Sequence, residues 1–263
     1  MNFPYTIKYE DLPNISILMP IYNRRSWLFL IINNLVNMDY PKNKLEFILD
    51  DDSATATEKT FENDVERSNF ETLTGIKTIY LFNKNKRTIG QKRNNLVKKA
   101  NNKLCIFMDS DDLYLPSYIR YSYEVMQKEK ASLVGSNQMI FLFPKLKWKL
   151  TAIQCPAKRQ IHEATMLFTK KHFRAMGGFI PNSQGEGAKM IDSMKDCKIA
   201  ETDCAFCMVC IAHDDNTISK DNFADIDDLT HYSKIPDKEK KFILVGMGLV
   251  DDFDNVDDDL LQN

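Results

Sequence analysis

The sequence predicts an α/β fold: a mostly parallel sheet with helices on both faces. Two features predict it. Between residues 15 and 108, short apolar runs alternate with segments whose apolar residues recur at helical spacing. A strand–helix alternation of this kind closes into a parallel sheet through crossover connections. Two of the apolar runs also stop at clustered aspartates, residues 50–52 and 109–112. That sets two groups of carboxylates along one rim, beyond the carboxyl ends of the strands, where ligands of such sheets bind.

The elements follow in order. Ile15 to Pro20 reads as a first buried strand closed by a proline. From Arg24 to Met38, the residues Trp27, Leu28, Ile31, Ile32, Leu35 and Val36 keep the period of a helix. Tyr40-Pro41 stops it, because the residue before a proline is driven out of the helical region. Leu45 to Leu49 is a second strand and runs into Asp50-Asp51-Asp52. Residues 58–70 read as a helix, Ile76 to Phe82 as a third strand, and Ile89 to Ala100 as a helix with Gly90 near its start. Leu104 to Met108 is the fourth strand.

Beyond residue 115 the pattern changes. Pro116 to Lys130 reads as a helix. Leu133 to Phe143 and Lys147 to Ile153 read as strands of alternating character, and Glu163 to Phe168 as another strand. Lys170 to Met176 is a short helix, followed by the turn Gly177-Gly178-Phe179. Ser183 to Gly187 is polar and glycine-rich, the composition of a mobile loop. Cys204 to His213 is the last strand. No internal repeat and no low-complexity linker interrupts the chain.

The 263 residues can bury a sizeable core, as one large α/β domain or two small ones. Apolar content of 43% and charged content of 27% are those of a globular protein in water. The longest apolar runs, Trp27 to Ile32 and Phe242 to Val250, are too short to span a bilayer. The opening MNFPYTIKYEDLPN lacks the basic start and apolar stretch of a secretory signal, so a soluble, cytoplasmic protein is expected. Net charge is −2 but unevenly spread: residues 201–263 hold 16 acids against 5 bases, residues 1–200 hold 30 bases against 21 acids. A basic body can attract a phosphorylated substrate. Basic and aromatic residues are not interleaved as on a nucleic-acid surface, so no nucleic-acid partner is expected. The acidic terminus DDFDNVDDDLLQN reads as a solvated tail. Of six cysteines, Cys204, Cys207 and Cys210 sit three apart with Cys197 upstream, a spacing that suggests zinc. On a strand, however, residues three apart point to opposite faces, which favours buried free thiols in a reducing compartment.

Chemistry concentrates at Ile106-Phe107-Met108-Asp109-Ser110-Asp111-Asp112, where an apolar strand meets three carboxylates within four residues. Like charges repel, and each loses solvation near a core. A hard divalent cation such as Mg²⁺ or Mn²⁺ resolves that conflict and also binds substrate phosphate. A solvated turn after a buried strand is the other reading of the same residues.

Together the motifs resemble the family 2 glycosyltransferases, of GT-A fold, over roughly residues 14–220. Ser16-Ile17-Leu18-Met19-Pro20-Ile21-Tyr22-Asn23-Arg24 is similar to that family's first strand and Pro-x-Tyr-Asn turn. Glu46-Phe47-Ile48-Leu49-Asp50-Asp51-Asp52-Ser53 resembles its second strand with nucleotide-contacting aspartates. Gly90-Gln91-Lys92-Arg93-Asn94 resembles its Gly-x-x-Arg-Asn helix start, and Met108 to Asp112 followed by Pro116 its Asp-x-Asp-Asp block. Ala164 to Phe168 with Gly177-Gly178-Phe179 is similar to the strand and turn on its acceptor side. The resemblance implies a central mixed, mostly parallel sheet. It also implies a nucleotide-binding half near 14–115, an acceptor half near 116–220, and an acidic C-terminal extension over 221–263.

The resemblance further implies site residues. Pro20, Tyr22 and Asn23 would meet the base, and Asp51, with Asp52 as runner-up, would accept from uracil N3–H. Lys92 and Arg93 would meet the diphosphate and the base–ribose end, since arginine offers a planar fork to phosphate. Asp109, beside Ser110, would touch ribose or metal, and Asp111 would ligate the metal, Mn²⁺ or Mg²⁺. His213, ahead of Asn216-Thr217, would complete the metal site or contact the diphosphate. Gly185-Glu186-Gly187 stands where the family has a Gly-Glu-Asp-like segment, making Glu186 the base that deprotonates the acceptor hydroxyl, with Asp192 the fallback. The implied reaction is inverting transfer from a UDP-sugar to a saccharide, glycolipid or protein acceptor. Two rivals remain. A nucleotidyltransferase would want a glycine-rich basic loop after the first strand, and Pro20 to Arg25 has no glycine. A non-catalytic module that binds a sugar nucleotide would need no base at 186.

Overall fold

The computed structural model describes residues 3–154, 160–192, 197–226, 235–250 and 261. It has the expected α/β architecture. Four parallel strands form the nucleus of a seven-stranded sheet: β1 (Ile15–Ile21), β2 (Leu45–Asp51), β3 (Lys77–Phe82) and β4 (Leu104–Phe107). Between them run α1 (Leu28–Asn37), α2 (Asp64–Thr74) and α3 (Ile89–Lys99). After β4 come β5 (Leu113–Tyr114), α4 (Tyr118–Lys128), β6 (Leu133–Gly135), β7 (Gln138–Phe143) and β8 (Lys149–Gln154). Then follow β9 (Leu167–Thr169), α5 (Lys170–Met176), α6 (Ala188–Ile191), β10 (Ile199–Glu201), β11 (Met208–Ile211) and α7 (Asp237–Gly246). The large sheet has the order β10-β6-β9-β4-β1-β2-β3, with β9 antiparallel to both neighbours. A second sheet, β5-β11-β7-β8, stands beside it.

Alternation along the strands splits the core by face. Ile17, Met19, Phe47 and Leu49 pack with Ile31, Leu35 and Phe70 of α1 and α2. Leu18, Ile48 and Phe107 pack on the other face with Leu96 and Val97 of α3. Each fully buried side chain of this size is worth about 1.5–3 kcal/mol of transfer free energy, which is why these short apolar runs become strands despite ending in acids.

Several boundaries differ from the sequence reading. The helix expected over 58–70 begins at Asp64, because Asn63 caps it by accepting from the Glu66 amide at 3.0 Å, and it ends at Gly75, whose φ is +69°. The single strand expected over Leu133–Phe143 is two strands in different sheets, broken at Ser136-Asn137. Glu163–Thr165 is a 3₁₀ turn, and the strand starts only at Leu167. β5 and β10 were not predicted.

The last strand is also shorter. Cys204–Phe206 is a 3₁₀ turn, so strand alternation does not separate the first two thiols. Each has a partner of its own: the Cys204 thiol reaches Gln138 Oε1 at 3.6 Å, and the Cys207 thiol reaches Asp203 O at 3.3 Å. Of the acidic tail, residues 251–260 lie outside the described residues, and Leu261 is buried beside Leu244 of α7. Among the described residues no helix is long and apolar enough to cross a membrane.

α7 packs against α1 and the turn before it. Gly246 lies so close to Trp27 that a Cβ there would sit 2.4 Å from the indole. Trp27 in turn lies under His213, ring centroids 4.9 Å apart. α7 is thereby keyed to the rim of the sheet through one buried indole.

Candidate active site

Two adjoining cavities open at the carboxyl ends of β1 and β4. The larger, about 690 Å³, is lined by Pro20, Tyr22, Asn23 and Arg24 at the end of β1 and by Lys92 and Arg93 of α3. Asp109, Ser110 and Asp111, after β4, form the side toward the second cavity. The smaller, about 230 Å³, shares Arg93, Asp109 and Asp111 and adds Glu163, Gln184 and Glu186. Eight of the expected binding and metal residues thus line one cavity, and the expected base lies in the next, across the same acids.

The three acids after β4 are held in three ways. Asp111 Oδ2 accepts from Arg24 Nε at 3.0 Å and lies 3.1 Å from His213 Nε2. Burial works against its charge, but His213 and Arg24 prevail and hold its carboxyl down at about 2. Asp109 Oδ1 accepts from Arg93 Nη2 at 3.4 Å. Burial pushes its carboxyl upward; Arg93 opposes this, and Asp111 and Glu186 add to it. Asp112 is turned inward and accepts from the Ile211 amide at 3.0 Å. Burial, then Asp111 and Asp109, push it well above the usual carboxylate range. Asp112 therefore ties β11 to the acid block and brings His213 to Asp111.

Arg93 organises the junction of the two cavities. Its side chain is 4% exposed and lies over the Phe107 ring, 4.3 Å from the centroid. Nε donates to Glu186 Oε1 at 3.1 Å. Burial would weaken its charge, but Asp109, Glu186 and Glu163 more than restore it, and its pKa is raised. Nη1 is buried and has no hydrogen-bond partner among the described residues. A buried donor left open in this way is costly and marks a place for a ligand.

The motif on α3 also fixes the loop that carries Glu186. The Gly90 amide donates to Asn182 O at 2.8 Å, and a Cβ at Gly90 would sit 1.8 Å from the Ile180 carbonyl oxygen. Asn94 brackets Phe179, donating to its carbonyl at 2.8 Å and accepting from its amide at 2.9 Å. Gly178 takes φ +78°, which favours glycine. Residues 183–185 are exposed bends between these anchors, while Glu186 and Gly187 are buried: the Glu186 carbonyl accepts from the Ile180 amide at 2.9 Å and the Gly187 amide donates to Glu163 Oε1 at 3.1 Å. Asp192 is exposed at the end of α6 and lines neither cavity.

The acids of β2 stand differently from expectation. Asp51 lies on the α2 face of the sheet. Its carboxylate accepts from the Ser53 amide at 2.8 Å, from the Thr60 amide and hydroxyl at 2.9 Å each, and from the Tyr80 hydroxyl at 2.8 Å. Asp50 and Asp52 point to the opposite face, as alternation requires. Asp50 is engaged by Arg87 and by Asn95 at 2.7 Å. Asp52 accepts from Lys92 Nζ at 2.7 Å and from the Arg87 amide at 2.6 Å. Neither Asp51 nor Asp52 lines the larger cavity; Lys92, which Asp52 holds, does.

Asn23, at φ +51°, ties this wall together by donating its amide to Ser53 Oγ and accepting from the Ala54 amide, both at 2.9 Å. Lys86 Nζ lies 3.7 Å from the Tyr22 ring centroid.

Residues 16–186 match the family described as Glycosyl transferase family 2. The chain belongs to that family. Its fold is also that of solved glycosyltransferases. A mannosyltransferase, PcManGT from Pyrobaculum calidifontis, in complex with GDP-Man and Mn²⁺, superposes with a TM-score of 0.57 at 15% identity, over 80% of this chain and 59% of that one. S. aureus TarS 1-349 in complex with UDP-GlcNAc superposes with a TM-score of 0.58 at 13% identity, over 89% of this chain and 66% of that one. The same TarS segment without a named ligand gives 0.57 at 14% identity and 75% coverage of this chain. The chain spans 59% and 60% of the lengths of the first two solved structures.

Several contributors to the cavities escaped the sequence. Arg24, Lys86 and Glu163 carry charge into the walls, and Met247-Gly248, just past α7, closes one side. Arg24 had a signal, since it follows Asn23 directly in the first turn. Met247-Gly248 had none, because only the docking of α7 on Trp27 brings it there.

Among the described residues, no three His, Cys, Asp or Glu side chains stand ready-made around one point. The donor chemistry nonetheless suits a hard cation. Both contacts to Asp111 fall on Oδ2, and the Arg93 contact to Asp109 falls on Oδ1, so each carboxylate keeps a second oxygen.

Proposed function

We propose that this chain is an inverting glycosyltransferase that moves a sugar from a nucleotide donor, a UDP-sugar, to a hydroxyl acceptor, assisted by Mn²⁺ or Mg²⁺. One observation carries the reading: Arg93 and Asp109 line both cavities, and the larger has room for a nucleotide while the smaller presents a carboxylate, Glu186. In this reading the donor lies in the larger cavity, with its base toward Tyr22, Asn23 and Lys86 and its diphosphate toward Arg93 and the acids after β4. Asp52 backs the base end by holding Lys92, and Asp51 holds the segment 53–60 behind it.

The acceptor enters the smaller cavity. Glu186, with Oε1 engaged by Arg93 at 3.1 Å, takes the hydroxyl proton on its other oxygen. The acceptor oxygen attacks the anomeric carbon from the face opposite the nucleotide, and the bond to the diphosphate breaks with its electron pair leaving on UDP. A divalent cation held by Asp111 and Asp109, with His213 beside them, would supply neutralisation of the diphosphate as it departs. A saccharide, a glycolipid or a protein fits this scheme as acceptor. The five described cysteines are all unpaired, in keeping with a reducing cytoplasm.

The test is release of UDP by the purified protein from a panel of UDP-sugars, with Mn²⁺ and varied acceptors present. Turnover with at least one donor is expected. Tight binding without release would identify a non-catalytic sugar-nucleotide module, and absence of both would overturn the reading.

A further inference from the structure

We propose that Arg24 is a resident counter-ion of Asp111, one that holds this carboxylate until a diphosphate arrives to take the guanidinium and then yields it to a divalent cation. The inference rests on the reading of the site as a nucleotide-sugar site and adds a gate to it. Arg24 Nε sits 3.0 Å from Asp111 Oδ2, with the two side chains only 13% and 17% exposed. At that depth a guanidinium cancels much of the charge that would draw a cation to the same carboxylate. Its remaining nitrogens donate to neutral backbone oxygens, Nη1 to Asn23 O at 3.2 Å and Nη2 to Asp215 O at 2.5 Å.

Arg93 stands in a different position. It faces Asp109 and is also fixed by the buried Glu186, so releasing it would strand a carboxylate. Arg24 leaves behind two carbonyls that water can satisfy, and Asp111, which keeps His213 Nε2 at 3.1 Å and is the carboxylate handed to the cation. It also lines the larger cavity, where a diphosphate offers oxygens in the bidentate arrangement a guanidinium prefers. Cation and nucleotide would then assist one another's binding through a single side chain, and that coupling is reciprocal.

Mn²⁺ affinity, read from the electron paramagnetic resonance of free Mn²⁺, tests this with and without UDP. Arg24→Gln is expected to bind Mn²⁺ about fivefold tighter than wild type in the absence of UDP, the size of one lost competing ion pair. It is also expected to bind UDP about tenfold more weakly in chelator, the size of a lost charge-assisted contact. Opposite signs for the two ligands are the signature, because a merely structural arginine would weaken both. Arg24→Lys, which keeps the charge, should stay within about twofold of wild type for Mn²⁺. Arg24→Met serves in place of Gln if that variant fails to fold. Unchanged or weaker Mn²⁺ binding in the neutral variants overturns the proposal, and so does equal tightening in the lysine variant. If wild type binds Mn²⁺ with UDP but the neutral variants show no gain, only the gate falls. If wild type binds neither UDP nor Mn²⁺, the functional reading falls with it.

Discussion

Asp111→Asn is expected to lower sugar transfer on the order of 10³-fold while the protein stays folded. Asp111 is the acid most firmly kept ionised in this site, held at about 2 against its own burial by His213 and Arg24. An amide of the same shape keeps the packing but carries no charge to set beside a diphosphate. It also takes away the negative charge that Arg24 faces, leaving its Nε at best a neutral amide oxygen beside the Asn23 and Asp215 carbonyls. Initial rates of UDP release at saturating donor, with a thermal melt as the control for folding, check the expectation. Full activity in a folded Asp111→Asn protein would remove this residue from the site.

Glu186→Gln is expected to lower kcat by about 10²–10⁴-fold, the range a positioned general base contributes, with KM for the donor little changed. The amide oxygen can still accept from Arg93 Nε, so the loop stays docked and the larger cavity stays intact. What disappears is the capacity to take a proton. Asp192→Asn is the informative contrast, because Asp192 is exposed and lines neither cavity. A loss confined to the Asp192 variant would move the base role there. A rise in donor KM without loss of kcat in Glu186→Gln would make Glu186 a binding residue.

The sheet and the rim were legible because burial and alternation write themselves into short apolar runs. Ile15–Ile21, Leu45–Asp51 and Leu104–Phe107 lie within a residue or two of where periodicity put them. β5 and β10, two and three residues long, carry too little pattern to be read. Ser136-Asn137 divides an apolar stretch between two sheets for a reason no local rule contains: the Ser136 amide is taken by Thr165 Oγ1 at 2.8 Å.

In the acid triplet of β2, alternation does say that Asp51 faces away from Asp50 and Asp52. It does not say which face meets the cavity, because that depends on Thr60 and Tyr80 arriving from elsewhere to satisfy Asp51. The Gly90 to Asn94 motif was readable as a helix start. Its second task, anchoring Phe179 to Glu186, lies in a contact across 85 residues. The same holds for Arg24, whose partners are 87 and 191 residues away in the chain.

Everything proposed for this site turns on where a nucleotide and its cation bind. A crystal grown with UDP and Mn²⁺ measures this at once. The uracil is expected against Tyr22 and Asn23, the diphosphate beside Arg93, and anomalous density for manganese at an Asp111 oxygen, with Arg24 drawn away from that carboxylate. UDP bound elsewhere on the chain, or manganese remote from both Asp111 and Asp109, would contradict it.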